Sequence, residues 1–357
     1  MYRRPDLLYE KQIMINGKKK AFRGHSPQEV TRKILEYRGE IEKGRLFQEV
    51  AEEWKERHFE AIEYNTRKSY IAPYNRLVEK FREIYINKIK PNDINSFLGQ
   101  FSRRGYSQKT VRNQLLVTNL IFSSAVVDGY IESNPTEYIA VPKNLPKSKR
   151  DMPKDEFLEL VKTNYNKPFG LLAYFLLYTG CRIGEALAIQ YKDIDKENKI
   201  IRITKSVYHE NSTPHLKTPK TAAGTRDIIL LDILAAKLPD GREDDYLFPG
   251  QDNRLMTYSE LKKGWKCFCE EIGACEYKIV TEGDKRKHRR PALLLTPHQL
   301  RHGFATILFE AGINEKDAQE LLGHSSISVT RDTYTHIRKS RKEKTAEILN
   351  KFTENTQ

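Results

Sequence analysis

Cysteine is scarce, with four residues in a chain of 357. Cys181, Cys267, Cys269 and Cys275 are too few and too unevenly spaced to form a disulfide framework. Three of them crowd into one short stretch, but their spacing matches no zinc-ligand pattern, so they read as buried or half-buried thiols. Long apolar runs are missing as well. The longest, Leu171 to Tyr178 and Ala292 to Leu295, fall well short of the roughly 20 residues that cross a bilayer, and no membrane span is expected. The opening Met1-Tyr2-Arg3-Arg4-Pro5-Asp6 lacks the apolar core of a secretory signal, which places the chain in the cytoplasm. There is no Walker-type glycine loop and no clear carboxylate cluster for a metal pair, so neither ATP, a metal nor another cofactor is expected.

What is present is a globular composition, 38% hydrophobic and 31% charged, in a chain long enough for two or three domains. The formal net charge is +14, and the basic residues are spread along the whole chain. A polyanion is the natural partner of such a surface, although charge alone also serves solubility.

The pattern divides into segments. In Lys11 to Arg23, Asn16-Gly17 between two short runs signals a tight hairpin, and Ser26 followed by Pro27 opens a helix. This strand-strand-helix unit, residues 1–44, is basic on its strands. Lys18, Lys19, Lys20 and Arg23 either face water or contact phosphates as a β-ribbon in a DNA groove. Residues 45–141 read as helical, with candidates at Leu46 to Phe59, Thr66 to Phe81, Pro91 to Phe101 and Ser107 to Val127. The last has Ser107 as N-cap and Val111, Leu115, Phe122 and Val126 along one stripe. Arg103, Arg104, Lys109 and Arg112 lie on polar faces that suit either a DNA groove or solvent.

A basic, proline-containing stretch at 142–152 is a linker. Residues 153–357 are mixed: helices interrupted by strand-like runs at Lys199 to Ile203, His209 to Leu216 and Thr225 to Leu230. The expected fold class is α+β, with a helical domain, a mainly helical mixed domain carrying a small β-sheet, and the small N-terminal hairpin and helix.

Three local clusters carry chemistry. In Thr179-Gly180-Cys181-Arg182-Ile183-Gly184-Glu185, Arg182 starts a helix whose free N–H groups favour an anion, and it is spaced to pair with Glu185. In His298-Gln299-Leu300-Arg301-His302, a spacing of three puts a proton-transfer group and a guanidinium fork on one helix face. Leu322-Gly323-His324-Ser325-Ser326 precedes Thr333-Tyr334-Thr335-His336. Singly, each fits an ordinary salt bridge or a helix cap.

Together, and in that order with Lys220 of Thr-Pro-Lys-Thr before Thr225-Arg226, they resemble the active-site set of the tyrosine recombinase (phage integrase) family. The resemblance is close over the catalytic half, looser over the helical half, and at residues 1–44 rests on position and strand pattern. It points to an integrase of the prophage or conjugative-transposon type. It implies a site-specific recombinase in which a helical core-site-binding domain and a catalytic domain clamp double-stranded DNA, while residues 1–44 take arm-type sites. A homotetramer on paired sites is implied, with room for a directionality factor. By the same resemblance, Tyr334 attacks a phosphodiester to give a 3′-phosphotyrosine. Arg182, Arg301 and His324 brace the phosphate, His298 accepts the tyrosine proton, and Lys220 protonates the leaving 5′ oxygen.

A tyrosine with an ordinary pKa near 10 is a poor nucleophile at neutral pH, so the cationic pocket is expected to favour its phenolate. Lys217, three residues before Lys220, is the alternative acid. Gly283 to Pro291, with Lys285 and Arg286, reads as an inserted basic loop that is either solvated or in contact with phosphate near the cut. The rivals are a chromosome-dimer-resolving recombinase, a type IB topoisomerase-like enzyme, and a DNA-binding regulator without chemistry; every expected catalytic position is filled, which weighs against the last.

Overall fold

The computed structural model describes residues 2–3, 8–15, 18–143, 145–146, 152–218, 224–282, 286–324, 326–335 and 337–338. The chain divides into two compact units, Met1–Lys149 and Arg150–Gln357.

The first unit begins with an antiparallel sheet of β1 (Tyr2–Arg3), β2 (Tyr9–Ile15) and β3 (Lys18–Gly24), followed by α1 (Pro27–Lys43). Ile15 pairs with Lys18, so the hairpin signal Asn16-Gly17, which lies outside the described residues, falls between them. The Ser26 hydroxyl accepts the Glu29 N–H at 3.1 Å and the Glu29 carboxylate accepts the His25 N–H at 2.8 Å, a reciprocal cap that fixes the helix start. Phe22, Val30 and Ile34 form a small core of their own, flanked by Tyr9, Ile13 and Tyr37. The two-residue β1 was not anticipated, being too short for an alternating pattern to register.

Four α-helices follow: α2 (Phe47–Ala61), α3 (Tyr64–Phe81), α4 (Pro91–Arg103) and α5 (Gln108–Val127). Phe47 packs its ring 5.7 Å from both Phe81 and Phe122, joining three of them. Ser107 caps α5 as its sequence suggests. The buried face of α5 keeps only Val111 and Phe122 of the stripe read from apolar residues, however. It runs through Val111, Gln114, Val117, Thr118, Ile121, Phe122 and Ala125, while Leu115 and Val126 are only half-buried. Two polar residues hide in it because each is satisfied locally: Gln114 Nε2 donates to the Pro73 carbonyl at 3.0 Å and the Thr118 hydroxyl to the Gln114 carbonyl at 2.7 Å.

The second unit opens with α6 (Asp155–Thr163), α7 (Gly170–Thr179) and the short α8 (Ile183–Ala186). The apolar run becomes α7, buried from Leu172 to Leu177 and packed on a later helix, α11 (Pro297–Glu310). It ends at Gly180 in the left-handed region (φ 64°), where a Cβ would sit 2.4 Å from the Phe304 ring. Between these helices, β4 (Ile194–Asp195), β5 (Ile200–Ile203) and β8 (Arg226–Ile229) form one antiparallel sheet, and β6 (Ser206–Glu210) and β7 (Thr213–Lys217) a separate hairpin. The run His209 to Leu216, expected as one strand, is therefore broken; Asn211 adopts φ 56° and turns the chain back.

α9 (Asp232–Ala235) and α10 (Tyr258–Glu271) lead to β9 (Cys275–Glu282) and β10 (Arg286–Leu293), which pair along their full length. Of the segment expected as an inserted loop, Arg286 to Pro291 lie in β10, while Gly283 to Lys285 lie outside the described residues. α12 (Glu315–Leu322) follows α11, and residues 327–335 form a last helix, α13. Cys181 and Cys269 are buried and Cys275 half-buried, but Cys267 is exposed. No helix among the described residues is long and apolar enough to cross a membrane.

Candidate active site

The turn that ends α12 is the centre of the site. Its last carbonyls point out of the helix without intrahelical partners, and the helix dipole makes them attractive to cations. Three guanidiniums occupy them. Arg226 Nε donates to the Leu321 carbonyl at 3.2 Å, Arg301 Nη2 to Leu322 at 2.5 Å and Arg182 Nη2 to Gly323 at 3.1 Å. Arg301 also donates from Nη1 to the Gly180 carbonyl at 2.7 Å, tying the end of α7 to the end of α12.

Glu185 is the counter-ion. Arg182 Nη1 reaches its Oε1 at 2.7 Å, the Arg182 backbone N–H its Oε2 at 3.0 Å, and Arg226 Nη2 its Oε2 at 2.9 Å. The N-terminus of α8, expected to favour an anion and spaced for Arg182 to pair with Glu185, takes the carboxylate of Glu185. Burial would raise the Glu185 pKa, but hydrogen bonds and charge from Arg226, then Arg182, hold it below the usual carboxylate value. Three guanidiniums around one carboxylate leave two positive charges uncompensated. Arg301 is 4% exposed, and burial, reinforced by Arg182, pushes its pKa down to about 9, so it remains a cation at neutral pH.

The other residues are distributed around this core. His324 follows directly, its Nδ1 hydrogen-bonded to the hydroxyl of buried Thr330 at 2.8 Å. His298 is exposed on the first turn of α11, its ring 4.6 Å from that of His302. A spacing of three therefore gives His298 and Arg301 different surroundings, one at the surface and one inside. Lys220 lies outside the described residues. Lys217 ends β7 with its ammonium 5.4 Å from the Tyr208 ring.

Tyr334 is buried, 2% exposed, with its ring 5.1 Å from Phe309 and its hydroxyl donating to the Ile313 carbonyl at 3.3 Å. Burial, then the charge of Glu315, push its pKa up to about 12. The expectation of a phenol activated by the arginine pocket is thus reversed in this arrangement. The folded state holds this proton more tightly than the unfolded chain. Stability linked to it is complete below the ordinary tyrosine pKa of 10 and is lost as pH rises towards 12. Carbon-13 NMR of ring-labelled tyrosine, assigned by comparison with Tyr334→Phe, is expected to place this resonance among the last to titrate; a midpoint at or below 10 would contradict the burial account.

Among the surface candidates, Lys19, Lys109 and Arg112 are exposed. Lys20 is exposed too, with its ammonium 3.5 Å from the Tyr37 ring, and Arg23 pairs with Glu10 at 2.7 Å. Lys18 opens β3 and Arg286 opens β10, while Lys285 lies outside the described residues. Sequence reading missed the depth of Arg226 and the role of Thr330 as partner of His324. Arg226 left one signal, its fixed place after Gly224-Thr225; Thr330 left none.

A profile of the phage integrase family matches residues 150–341. The transposase of transposon Tn916 from Enterococcus faecalis is 28% identical over 273 residues, covering 70% of this chain and 64% of its own length. A XerC-like tyrosine recombinase from Caldanaerobacter subterraneus is 30% identical, covering 94% of this chain and 93% of its own. Among solved structures, a fragment of the Tn1549 transposon integrase in complex with transposon right end DNA superimposes with a TM-score of 0.63 at 21% identity, over 85% of this chain and all of that one. A lambda integrase tetramer bound to a Holliday junction gives 0.58 at 17% identity, over 92% and 96%. The chain belongs to the phage integrase family, and its α+β architecture is that of these integrases.

Proposed function

We propose that this protein is a site-specific DNA recombinase of the tyrosine type, which integrates or excises a mobile element. The observation that carries the reading is the convergence of Arg182 and Arg301, 119 positions apart, on adjacent carbonyls of Leu322 and Gly323, in the segment that runs through His324 into the helix of Tyr334. Such a pair of guanidiniums suits a phosphodiester gaining negative charge in its transition state.

In the proposed reaction the Tyr334 hydroxyl leaves the Ile313 carbonyl and attacks phosphorus, giving its proton to His298. The bond from phosphorus to the 5′ oxygen breaks, and Lys220 protonates that oxygen, leaving a 3′-phosphotyrosine and a 5′ hydroxyl. A 5′ hydroxyl from a second duplex then attacks the phosphotyrosine and releases the enzyme. The bond energy is conserved in the linkage, so no nucleotide is consumed.

Residues 45–141 would bind core-type DNA sites through faces carrying Lys109 and Arg112, and 153–357 would carry catalysis, with 142–152 as linker. Residues 1–44, with a miniature core of their own, would bind arm-type sites. The β9–β10 hairpin, with Arg289 and Arg290 exposed, would touch phosphates near the cut. A tetramer on paired sites is expected by analogy with the lambda integrase assembly, acting in the cytoplasm where the chromosome lies. A directionality factor would choose between integration and excision.

The test is covalent trapping on genomic DNA fragments followed by sequencing of the attached ends. Ends of a mobile element are expected. A single chromosomal site would favour the second reading, chromosome-dimer resolution, to which the XerC-like relative gives weight. Absence of any adduct would overturn both. Cleavage is further expected to proceed unchanged in excess EDTA, since the arginines carry the phosphate charge; a loss of the cleavage step itself on chelation would refute this mechanism.

A further inference from the structure

Two of the three arginines on the last turn of α12 have roles in the proposed chemistry, but the third, Arg226, has none assigned. Its side chain, at the start of β8, is 7% exposed. It spans four acceptors: the Leu321 carbonyl at 3.2 Å, the two Glu185 oxygens at 2.9 and 3.3 Å and, at the 3.5 Å limit, the Gly224 carbonyl. The chain is shaped to admit it. Gly323 is in the left-handed region (φ 62°), and a Cβ there would lie 2.7–2.9 Å from the Arg226 guanidinium.

We propose that Arg226 is a positioning residue for the recombination reaction, holding Glu185 so that Arg182 stays directed at the phosphate. The inference rests on the reading of Arg182 as a phosphate clamp. Glu185 is buried, and a buried carboxylate must be compensated. With Arg226 in place, its charge is divided between two guanidiniums. The Arg182 side chain stays 47% exposed, with one nitrogen on Glu185 and the other on the Gly323 carbonyl. Without Arg226, Arg182 is the guanidinium left in hydrogen-bond contact with the carboxylate. Its planar fork then turns onto both oxygens, withdrawing from the Gly323 carbonyl and from any phosphate. A lysine at 226 restores charge but not the reach, because a single ammonium cannot span both carboxylate oxygens and the Leu321 carbonyl.

The experiment uses the full chain and a nicked duplex bearing the ends recovered by the trapping described above. Single-turnover cleavage, non-covalent binding and thermal midpoint are measured for wild type, Arg182→Ala, Arg226→Lys, Arg226→Ala and the double variant Arg226→Ala with Glu185→Gln. Displacing a clamp by about an ångström can cost roughly 100-fold in rate. Arg226→Lys is expected to lose cleavage on that order while binding the duplex as wild type does. The double variant, freed of the uncompensated carboxylate, is expected to cleave faster than Arg226→Ala alone.

If Arg226→Lys cleaves like wild type, or if the double variant gains nothing over Arg226→Ala, the positioning role is wrong. It is equally wrong if cleavage, binding and midpoint fall in proportion across the series, which is what a purely structural residue would give. Failure of the underlying reading is distinct: Arg182→Ala would then cleave as wild type does, whatever the Arg226 variants do.

Discussion

Tyr334→Phe is expected to form no covalent protein–DNA adduct at all, while binding DNA as tightly as wild type. The substitution removes one oxygen. The aromatic ring keeps its edge contact with Phe309 and its place in the small core of Phe304, Leu308, Ala318 and Leu322. Only the hydrogen bond to the Ile313 carbonyl is lost, typically worth about 1 kcal/mol. The variant should therefore fold, and its thermal midpoint should move by a few degrees at most. Denaturing gels of protein incubated with nicked substrate, read beside a non-covalent binding titration, measure both halves. A surviving adduct would place the nucleophile elsewhere.

The second large effect is expected at the arginines, and the two should differ in kind. Removing a preorganised donor from a charged transition state typically costs roughly 100- to 1,000-fold in rate, and Arg182→Ala and Arg301→Ala should each lose cleavage on that scale. Arg301→Ala should also destabilise the fold. Its guanidinium joins the carbonyls of Gly180 and Leu322, and a buried acceptor left without a donor costs about 1–3 kcal/mol. Relief of the buried cation offsets part of this. Arg182→Ala should be milder in stability, because the side chain is half-exposed and Glu185 retains Arg226. Single-turnover cleavage and thermal unfolding on the same preparations separate the two. Cleavage within tenfold of wild type for either variant would remove that residue from the chemistry.

How much of this was readable beforehand depends on how local the cause is. The start of α1 at Ser26 and Pro27, the cap of α5 at Ser107 and the hairpin flanking Asn16-Gly17 are set by a few neighbouring residues, and they appear where the sequence places them. Arg182 and Arg301 could be picked out because their short motifs occur in a fixed order. What they touch could not, since their acceptors are backbone carbonyls, which any residue supplies. Part of the buried face of α5 is illegible for a related reason: Gln114 and Thr118 count as polar, yet a neighbouring carbonyl satisfies each. The strand β10 is hidden by its run of basic residues, which resembles a solvated loop. Tyr334 carried no sign of the burial that raises its pKa, because that depends on Phe309 and Ile313, far from it in sequence.

The three guanidiniums on the last turn of α12 also constrain the order in which the molecule can be made. Arg182 and Gly323 are 141 positions apart, Arg301 and Gly180 are 121 apart, and Arg226 and Leu321 are 95 apart. During synthesis the arginines emerge before most of the carbonyls that will hold them, and contacts of such long span close late because the intervening chain must first be ordered. Until residues 321–323 arrive, the described partners already made are Glu185 and the carbonyls of Gly180 and Gly224, and one carboxylate cannot balance three cations. A ribosome-bound chain that stops short of Gly323 lacks the carbonyls that hold all three guanidiniums, so the site proposed for strand cleavage cannot close before residues 321–323 have been made.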